Sequence, residues 1–143
     1  MASSNDLDEA VKIFEKYNVE DLSILHCISQ YPAEFSRLNL LSINKLIDKY
    51  GDKYKIGYSD HSMGIHIPVA AVAMGARIIE KHVTLDRSMK GTDHPVSAEP
   101  HEMKQMIHDI RTLESSFGQY DIFRDEACLP NVFKLSKSLA TKN

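Results

Sequence analysis

Two segments of the sequence place a histidine directly after a short apolar run. The first, GYSDHSMGIHIP, carries Ser59, Asp60 and His61, and the second, IIEKHVTL, carries His82. Two neutral imidazoles from neighbouring strands, with positions left open for a substrate oxygen, suit Mn²⁺, Fe²⁺ or Zn²⁺. A site with only two protein ligands would be weak and catalytic. The alternative is structural, with His61 as a helix cap and His82 as a hydrogen-bonded core residue.

Other polar residues follow the apolar runs or lie in the loop between them. Ser29 and Tyr31 come after DLSILHCI, and Asp93 lies in the loop DRSMKGTDHPVSAEP. A carboxylate such as Asp93 can orient sugar hydroxyls, whereas Glu99 is better explained as a first-turn charge favoured by the helix dipole. The serines after strands can equally be turn formers, and Asp60 can cap the turn after its strand.

The elements that position these residues alternate between helix and strand. Apolar spacing predicts helices at about 5–16, 39–50, 68–75 and 100–118, and short apolar runs predict strands at 21–28, 55–59 and 77–85. Strict alternation favours right-handed βαβ crossovers and a parallel sheet of the α/β class. In such sheets functional groups gather at the carboxyl ends of the strands. A doubly wound sheet needs about five strands, and a (β/α)8 barrel needs eight. Because only three strands are predicted, we expect the sequence to form part of a larger fold.

Composition limits the class of protein. The 143 residues are 43% hydrophobic and 26% charged, which suits one globular domain, and the net charge of -3 gives no reason to expect a nucleic acid or membrane partner. Since neither a spanning segment nor a leader pattern is present, we expect a cytoplasmic protein. Cys27 and Cys128 lack metal-ligand spacing and are expected to be free thiols. The tail, 119–143, has no clear apolar period and is predicted to be a linker.

A resemblance to a known family rests on three motifs in order: HCISQYP, GYSDHSMGI and AAVAMGARIIEKHVTLDRSMKGTDHPVSAEP. Over residues 1–118 these are similar to motifs of the sialic acid synthase family. Members of that family condense phosphoenolpyruvate with an N-acetylated amino sugar such as N-acetylmannosamine and release phosphate. Relatives make legionaminic or pseudaminic acid or act in spore-coat polysaccharide synthesis. The resemblance implies a transferase of carbohydrate biosynthesis, built on a (β/α)8 TIM barrel that a small antifreeze-like domain follows.

The resemblance also implies that the chain is a fragment. Residues 1–118 would be the C-terminal half of the barrel, from about helix 5 to helix 8, and 119–143 a linker toward the small domain. The family's proton-handling glutamate and phosphate-binding lysines belong to the first half of the barrel, so the fragment alone is expected to be inactive. It would form a homodimer or a complex with the missing half. The alternative is a non-catalytic half-barrel that serves as an interaction or assembly module, or as a split-enzyme subunit.

Such a half-barrel is expected to have two free sheet edges and an uncovered strand face. We expect one edge where the preceding strand of the barrel would pair, and the other beside RIIEKHVTL. The residues expected on the uncovered face include Ile24, His26, Ile56 and Ile78.

Carried over residue by residue, the resemblance assigns His61 and His82 as ligands of a divalent metal. Mn²⁺ is the first choice, with Mg²⁺ or Co²⁺ as alternatives. The metal would polarise the aldehyde oxygen of the open-chain sugar. Together with Asp93, these histidines are the implied catalytic residues.

The resemblance also implies a substrate-binding set. Ser29 and Ser59 match positions beside the phosphate of phosphoenolpyruvate, and Ser29 stands where some members have asparagine. Tyr31 and Asp93 match positions around the amino sugar.

Overall fold

The computed structural model describes residues 1–135, in which helices alternate with strands. The elements are α1 Ser4–Lys16, β1 Ser23–Cys27, α2 Ser42–Tyr50, β2 Lys55–Asp60, α3 His66–Ala73, β3 Ile78–Lys81, α4 Pro100–Ser116 and α5 Leu129–Leu135. Short 3₁₀ turns lie at Phe35–Arg37, His94–Val96 and Glu126–Cys128. The predicted order of elements is confirmed as far as α4, and each predicted bound lies within a few residues of the observed one.

The strands form one parallel sheet in the order β1-β2-β3. Cys27 lies opposite Ser59 in the register of β1 and β2, and Asp60 lies opposite Lys81 in that of β2 and β3. A helix connects each strand to the next, as parallel pairing requires. The predicted α/β class is therefore confirmed, and the carboxyl ends of the strands lie side by side.

One face of the sheet packs against helices. The core cluster joins strand residues to helix residues, among them Ile24, Ile56, Tyr58, Val11, Ile43 and Ala71. Because side chains alternate along a strand, Leu25, Gly57 and Ile78 lie on the opposite face. Neither Leu25 nor Ile78 belongs to the core cluster.

The expectation that Ile24, His26 and Ile56 lie on the uncovered face is wrong. Ile24 and Ile56 are register partners that point toward the helices, where both are buried. His26 is on the same face, and its Nε2 lies 2.7 Å from the carbonyl oxygen of Leu38. Of the four residues expected on the uncovered face, only Ile78 lies on the sheet face opposite the helices, where it is half-buried.

The outer edge of β3 is partly covered by the chain itself. The segment before α4 returns beside β3, where Ala98 forms a parallel bridge with Val83. The amide of Ala98 donates to the carbonyl of His82 at 2.8 Å, and the amide of Thr84 donates to the carbonyl of Ala98 at 3.0 Å. Within residues 1–135, the edge expected to be free along RIIEKHVTL is therefore open over Ile78–Lys81.

The predicted linker contains a 3₁₀ turn and α5, and its described side chains are mostly exposed. Tyr120 and Ile122 have no cover from the rest of the described chain. The remainder of the predicted linker, 136–143, lies outside the described residues, so the linker assignment stays a prediction. Neither α5 nor another helix within residues 1–135 is long and apolar enough to cross a membrane. Cys27 and Cys128 are free thiols, as expected.

Candidate functional site

The imidazoles of His61 and His82 lie next to each other beyond the carboxyl ends of β2 and β3. Their ring centroids are 5.2 Å apart and their planes are inclined at 72°. His61 is buried, at 6% exposure, whereas the side chain of His82 is 33% exposed. The structure thus brings the two predicted metal ligands together, and their role as ligands stays a prediction.

The ring of His61 is fixed through one of its nitrogens. Nδ1 lies 2.9 Å from the carbonyl oxygen of Ile28 and 3.8 Å from the Sγ of Cys27. Since a carbonyl oxygen only accepts, Nδ1 carries the proton in this hydrogen bond, and in the neutral imidazole Nε2 then has the lone pair. The carbonyl of His61 accepts from the amide of Ala33 at 2.9 Å. This arrangement is typical of a ligating histidine, whose second nitrogen is held by a carbonyl or a carboxylate.

Tyr31 lies against both imidazoles. Its ring centroid is 4.2 Å from that of His61 and 5.6 Å from that of His82. The residue is 48% exposed, so a ligand bound at the histidines can reach it. An aromatic ring with a polar hydroxyl suits contact with a small polar molecule. The structure therefore places Tyr31 in one cluster with the histidine pair.

Asp93 approaches the same cluster from the loop between β3 and α4. Its Oδ2 is 3.8 Å from Nδ1 of His82, beyond hydrogen-bond distance, and its side chain is 56% exposed. The Oγ of Ser97 donates to the carbonyl of Asp93 at 2.7 Å, and Thr84 Oγ1 lies 2.7 Å from Nδ1 of His94. These contacts hold the loop so that Asp93 faces His82.

The two serines predicted beside a phosphate are placed differently. Ser59 is buried on the sheet face opposite the helices, and its Oγ donates to Oε1 of Glu80 at 2.6 Å. Ser29 lies after β1, with its Oγ 3.7 Å from Sγ of Cys27. Glu80 was missed in the sequence, although strand alternation could have found it. It is the register partner of Ser59 and shares its face of the sheet.

Arg87 makes three polar contacts that stabilise the loop that carries Asp93. Its Nε donates to the carbonyl of Ser97 at 2.9 Å, its amide donates to Oε1 of Glu99 at 3.1 Å, and its guanidinium pairs with Glu102. The hydrogen bond from Arg87 is the main reason why the pKa of Glu102 lies below its ordinary value. Glu99 was expected in the first helical turn but lies at the residue before α4.

The described side chains could supply some, but not all, of the ligands of a metal ion. Within residues 1–135 no group of three or more His, Cys, Asp or Glu side chains is placed to hold a metal ion. Two imidazoles are suitable donors for Mn²⁺, Fe²⁺ or Zn²⁺, and His61 has its Nε2 free for that purpose. The remaining ligands would have to be substrate, water or groups outside the described residues.

Comparison with known proteins finds a matching family, similar sequences and a crystal structure of similar fold. The NeuB family matches residues 1–121. The chain is 39% identical over 144 positions to N,N'-diacetyllegionaminic acid synthase of Campylobacter jejuni, covering 99% of this chain and 42% of that protein. It is 37% identical over 118 residues to N-acetylneuraminate-9-phosphate synthase of Homo sapiens, covering 82% and 32%. The crystal structure of N-acetylneuraminic acid synthetase from Leptospira borgpetersenii, in complex with citrate, matches with a TM-score of 0.82 and 38% identity, covering 94% and 46%.

The chain spans less than half the length of these relatives, between 32% and 46%. The likeness extends over most of this chain, whereas more than half of each relative has no counterpart in it. The activities named for the relatives therefore belong to longer proteins.

Proposed function

Since the chain belongs to the NeuB family, we propose that it supplies part of an active site that condenses phosphoenolpyruvate with an N-acetylated amino sugar and releases phosphate. The sugar would be N-acetylmannosamine or a relative. The observation that carries the proposal is the cluster of His61, His82 and Tyr31 beyond β2 and β3, with the imidazole centroids 5.2 Å apart. The names of these relatives support the class of product, because they are synthases of N,N'-diacetyllegionaminic acid, N-acetylneuraminate 9-phosphate and N-acetylneuraminic acid.

We propose that His61 and His82 hold a divalent metal, Mn²⁺ first, with Mg²⁺ or Co²⁺ as alternatives. When bound, such an ion would polarise the aldehyde oxygen of the open-chain sugar and make its carbon electrophilic. The contact of His61 Nδ1 with the Ile28 carbonyl supports this role, because it leaves Nε2 free.

The reaction that we propose forms one carbon-carbon bond and one carbon-oxygen bond and breaks the bond between carbon and the phosphate oxygen. The enol carbon of phosphoenolpyruvate bonds to the aldehyde carbon. Water then adds to the oxocarbenium-like centre and gives one proton to the former aldehyde oxygen. Phosphate leaves with the other proton as its bond to carbon breaks and the 2-oxo group forms. Ser29 and Ser59 would lie beside the phosphate, and Tyr31 and Asp93 beside the amino sugar. The 3.8 Å between Asp93 and His82 agrees with a sugar bound against both.

We further propose that activity requires a complementary half, meaning a polypeptide segment that supplies the first part of a (β/α)8 barrel. In this proposal, residues 1–118 form the C-terminal half, from helix 5 to helix 8, and 119–143 lead toward a small domain. The sheet face with Leu25, Gly57 and Ile78, outside the helix-packed core, is where interior residues of a closed barrel would lie. The same face supports a second candidate function, a non-catalytic interaction or assembly module.

The test is an assay of phosphate release on the chain co-expressed with the first half of a related synthase. Phosphoenolpyruvate, Mn²⁺ and a set of N-acetylated amino sugars are the substrates and cofactor. We expect turnover by the complex, none by the chain alone, and loss of turnover in His61→Ala and His82→Ala. His108→Ala, on the exposed side of α4, is the matched control and should stay active. A folded one-to-one complex that neither binds Mn²⁺ nor releases phosphate would favour the interaction module.

A further inference from the structure

A buried ion pair lies directly before the two histidines, on the helix side of the sheet. The Nζ of Lys81 is 2.8 Å from Oδ2 of Asp60, and the two side chains are 1% and 0% exposed. They are register partners and the last residues of β3 and β2. Since His61 and His82 come next in the sequence, the ion pair joins the two strands at the level where the histidines begin.

The other hydrogen bonds of the pair within the described residues go to Tyr58 and Ser62. Oδ1 of Asp60 accepts from the hydroxyl of Tyr58 at 3.0 Å, from the amide of Ser62 at 3.0 Å and from the Oγ of Ser62 at 2.7 Å. Lys81 also donates to the carbonyl of Ser62. Within the described residues, no buried side-chain nitrogen or oxygen lacks a hydrogen-bond partner. One set of hydrogen bonds therefore ties β2, β3 and the turn after His61 together.

The protonation of Tyr58 agrees with this arrangement. Burial, followed by the neighbouring Asp60 carboxylate, raises the pKa of the Tyr58 hydroxyl above its ordinary value. The hydroxyl therefore remains a donor at neutral pH.

Such a pair constrains geometry more than it adds stability. Desolvation of two charges offsets most of their attraction, and a well-packed apolar pair of similar volume is often as stable. Hydrogen bonds between charged groups, by contrast, require defined distances and angles. The two strand ends are thus held at a spacing that an apolar contact would fix less narrowly.

We propose that Asp60 and Lys81 are positioning residues that hold the imidazoles of His61 and His82 at a fixed separation. The inference deepens the proposed function and rests on it in one respect, the use of the two imidazoles as metal ligands. The hydrogen bond between His61 Nδ1 and the Ile28 carbonyl then sets the rotation of the His61 ring. The hydrogen bond from the Ala98 amide to the His82 carbonyl fixes the backbone of His82. Partners outside the ligand set of a metal orient its ligands in this way.

The test is the double variant Asp60→Asn, Lys81→Met. It removes both charges at similar side-chain size, and so avoids the unpaired buried charge that either single change would leave. Nuclear magnetic resonance on the chain, labelled at histidine and in complex with the unlabelled first half of a related synthase, measures the nuclear Overhauser effect between the rings of His61 and His82. Broadening of the same signals by added Mn²⁺ measures metal affinity.

We expect the double variant to fold, to lose the inter-ring effect and to bind Mn²⁺ about tenfold more weakly, since loss of such outer partners typically weakens metal binding by 10–100-fold. The matched control is Tyr58→Phe, which removes one hydrogen bond to Asp60 and keeps the ion pair. It should retain both the inter-ring effect and the affinity.

An unchanged inter-ring effect in the folded double variant would overturn the positioning role, whatever the metal affinity. If the effect is lost in the variant while the parent shows no broadening by Mn²⁺, the positioning role is supported and the metal role in the proposed function fails. If that double variant does not fold, Asp60→Leu, Lys81→Met replaces it, because an apolar pair of similar volume also removes the ion pair and is often as stable. A weaker inter-ring effect in this second double variant supports the positioning role, and an unchanged one overturns it.

Discussion

Replacing Gly57 by alanine is expected to force β2 and β3 apart in the middle of the sheet. An added Cβ would lie 2.6 Å from the carbonyl oxygen of Ile78, 2.8 Å from the Cβ of Ile78 and 3.0 Å from the Cγ of Leu25. The shortest contact is with backbone, which cannot rotate away as the end of a flexible side chain can. Overpacking typically lowers the free energy of unfolding by about 1–3 kcal/mol. Because the closest contact here is with backbone, we expect a loss near the upper end, about 3 kcal/mol. In a domain of this size, that lowers the Tm by roughly 10 °C.

The measurement is denaturant unfolding of Gly57→Ala followed by circular dichroism. Gly118→Ala is the control, because nothing lies within 4 Å of its added Cβ and only its φ of 60° is unfavourable. The control should lose about 1 kcal/mol. Spreading of β2 and β3 should also separate His61 from His82. Mn²⁺ binding should therefore weaken in Gly57→Ala and stay unchanged in the control Gly118→Ala. A Gly57→Ala protein as stable as its parent would refute this reasoning from contacts.

Three further outcomes are expected. The hydrogen bond from Arg87 lowers the pKa of Glu102 below 4.5, so this pair stabilises the fold above that pH and loses its effect as the pH falls through the lowered pKa. Glu102→Gln should therefore melt below its parent at neutral pH, and a gap in Tm that does not narrow with acidification would contradict this. Calorimetry with Mn²⁺ on the complex with the complementary half should show one site that is absent in His61→Ala, and unchanged binding would remove the ligand assignment. The chain alone should dimerise or aggregate in analytical ultracentrifugation, and the complementary half should give a one-to-one complex with a sharper melt. A monomer that melts cooperatively and gains nothing from that half would contradict the half-barrel proposal.

The order of elements and the meeting of His61 and His82 could be predicted from the sequence, because both depend on local signals. The apolar period identifies each helix and strand, and parallel strands bring their carboxyl ends together regardless of packing details. The position of Tyr31 over both rings could not be predicted this way. It depends on the turn after β1, where the amide of Ala33 bonds to the carbonyl of His61.

The faces of the strands and the role of Asp60 also could not be predicted. Ile56 and Tyr58 alternate with Gly57 and Ser59 along β2, which separates its two faces, but β2 is buried on both faces from Ile56 onward. The pattern therefore does not show which face the helices cover. Asp60 has the residue type of a turn former, and its partner Lys81 is 21 positions away. Only the register of β2 and β3 shows that these two charges meet.

The bridge between Val83 and Ala98 limits how the sheet can grow. At the level of His82 and Thr84, Ala98 already uses the outward backbone groups of the chain. In the described part of the chain, the edge of β3 that stays free is therefore Ile78–Lys81, 4 residues, or about 13 Å of strand. A further strand can pair over that length and must then end or turn away before the imidazoles. The returning segment thus limits any further strand at this edge to the length of β3, because the backbone groups of His82 and Thr84 are already paired.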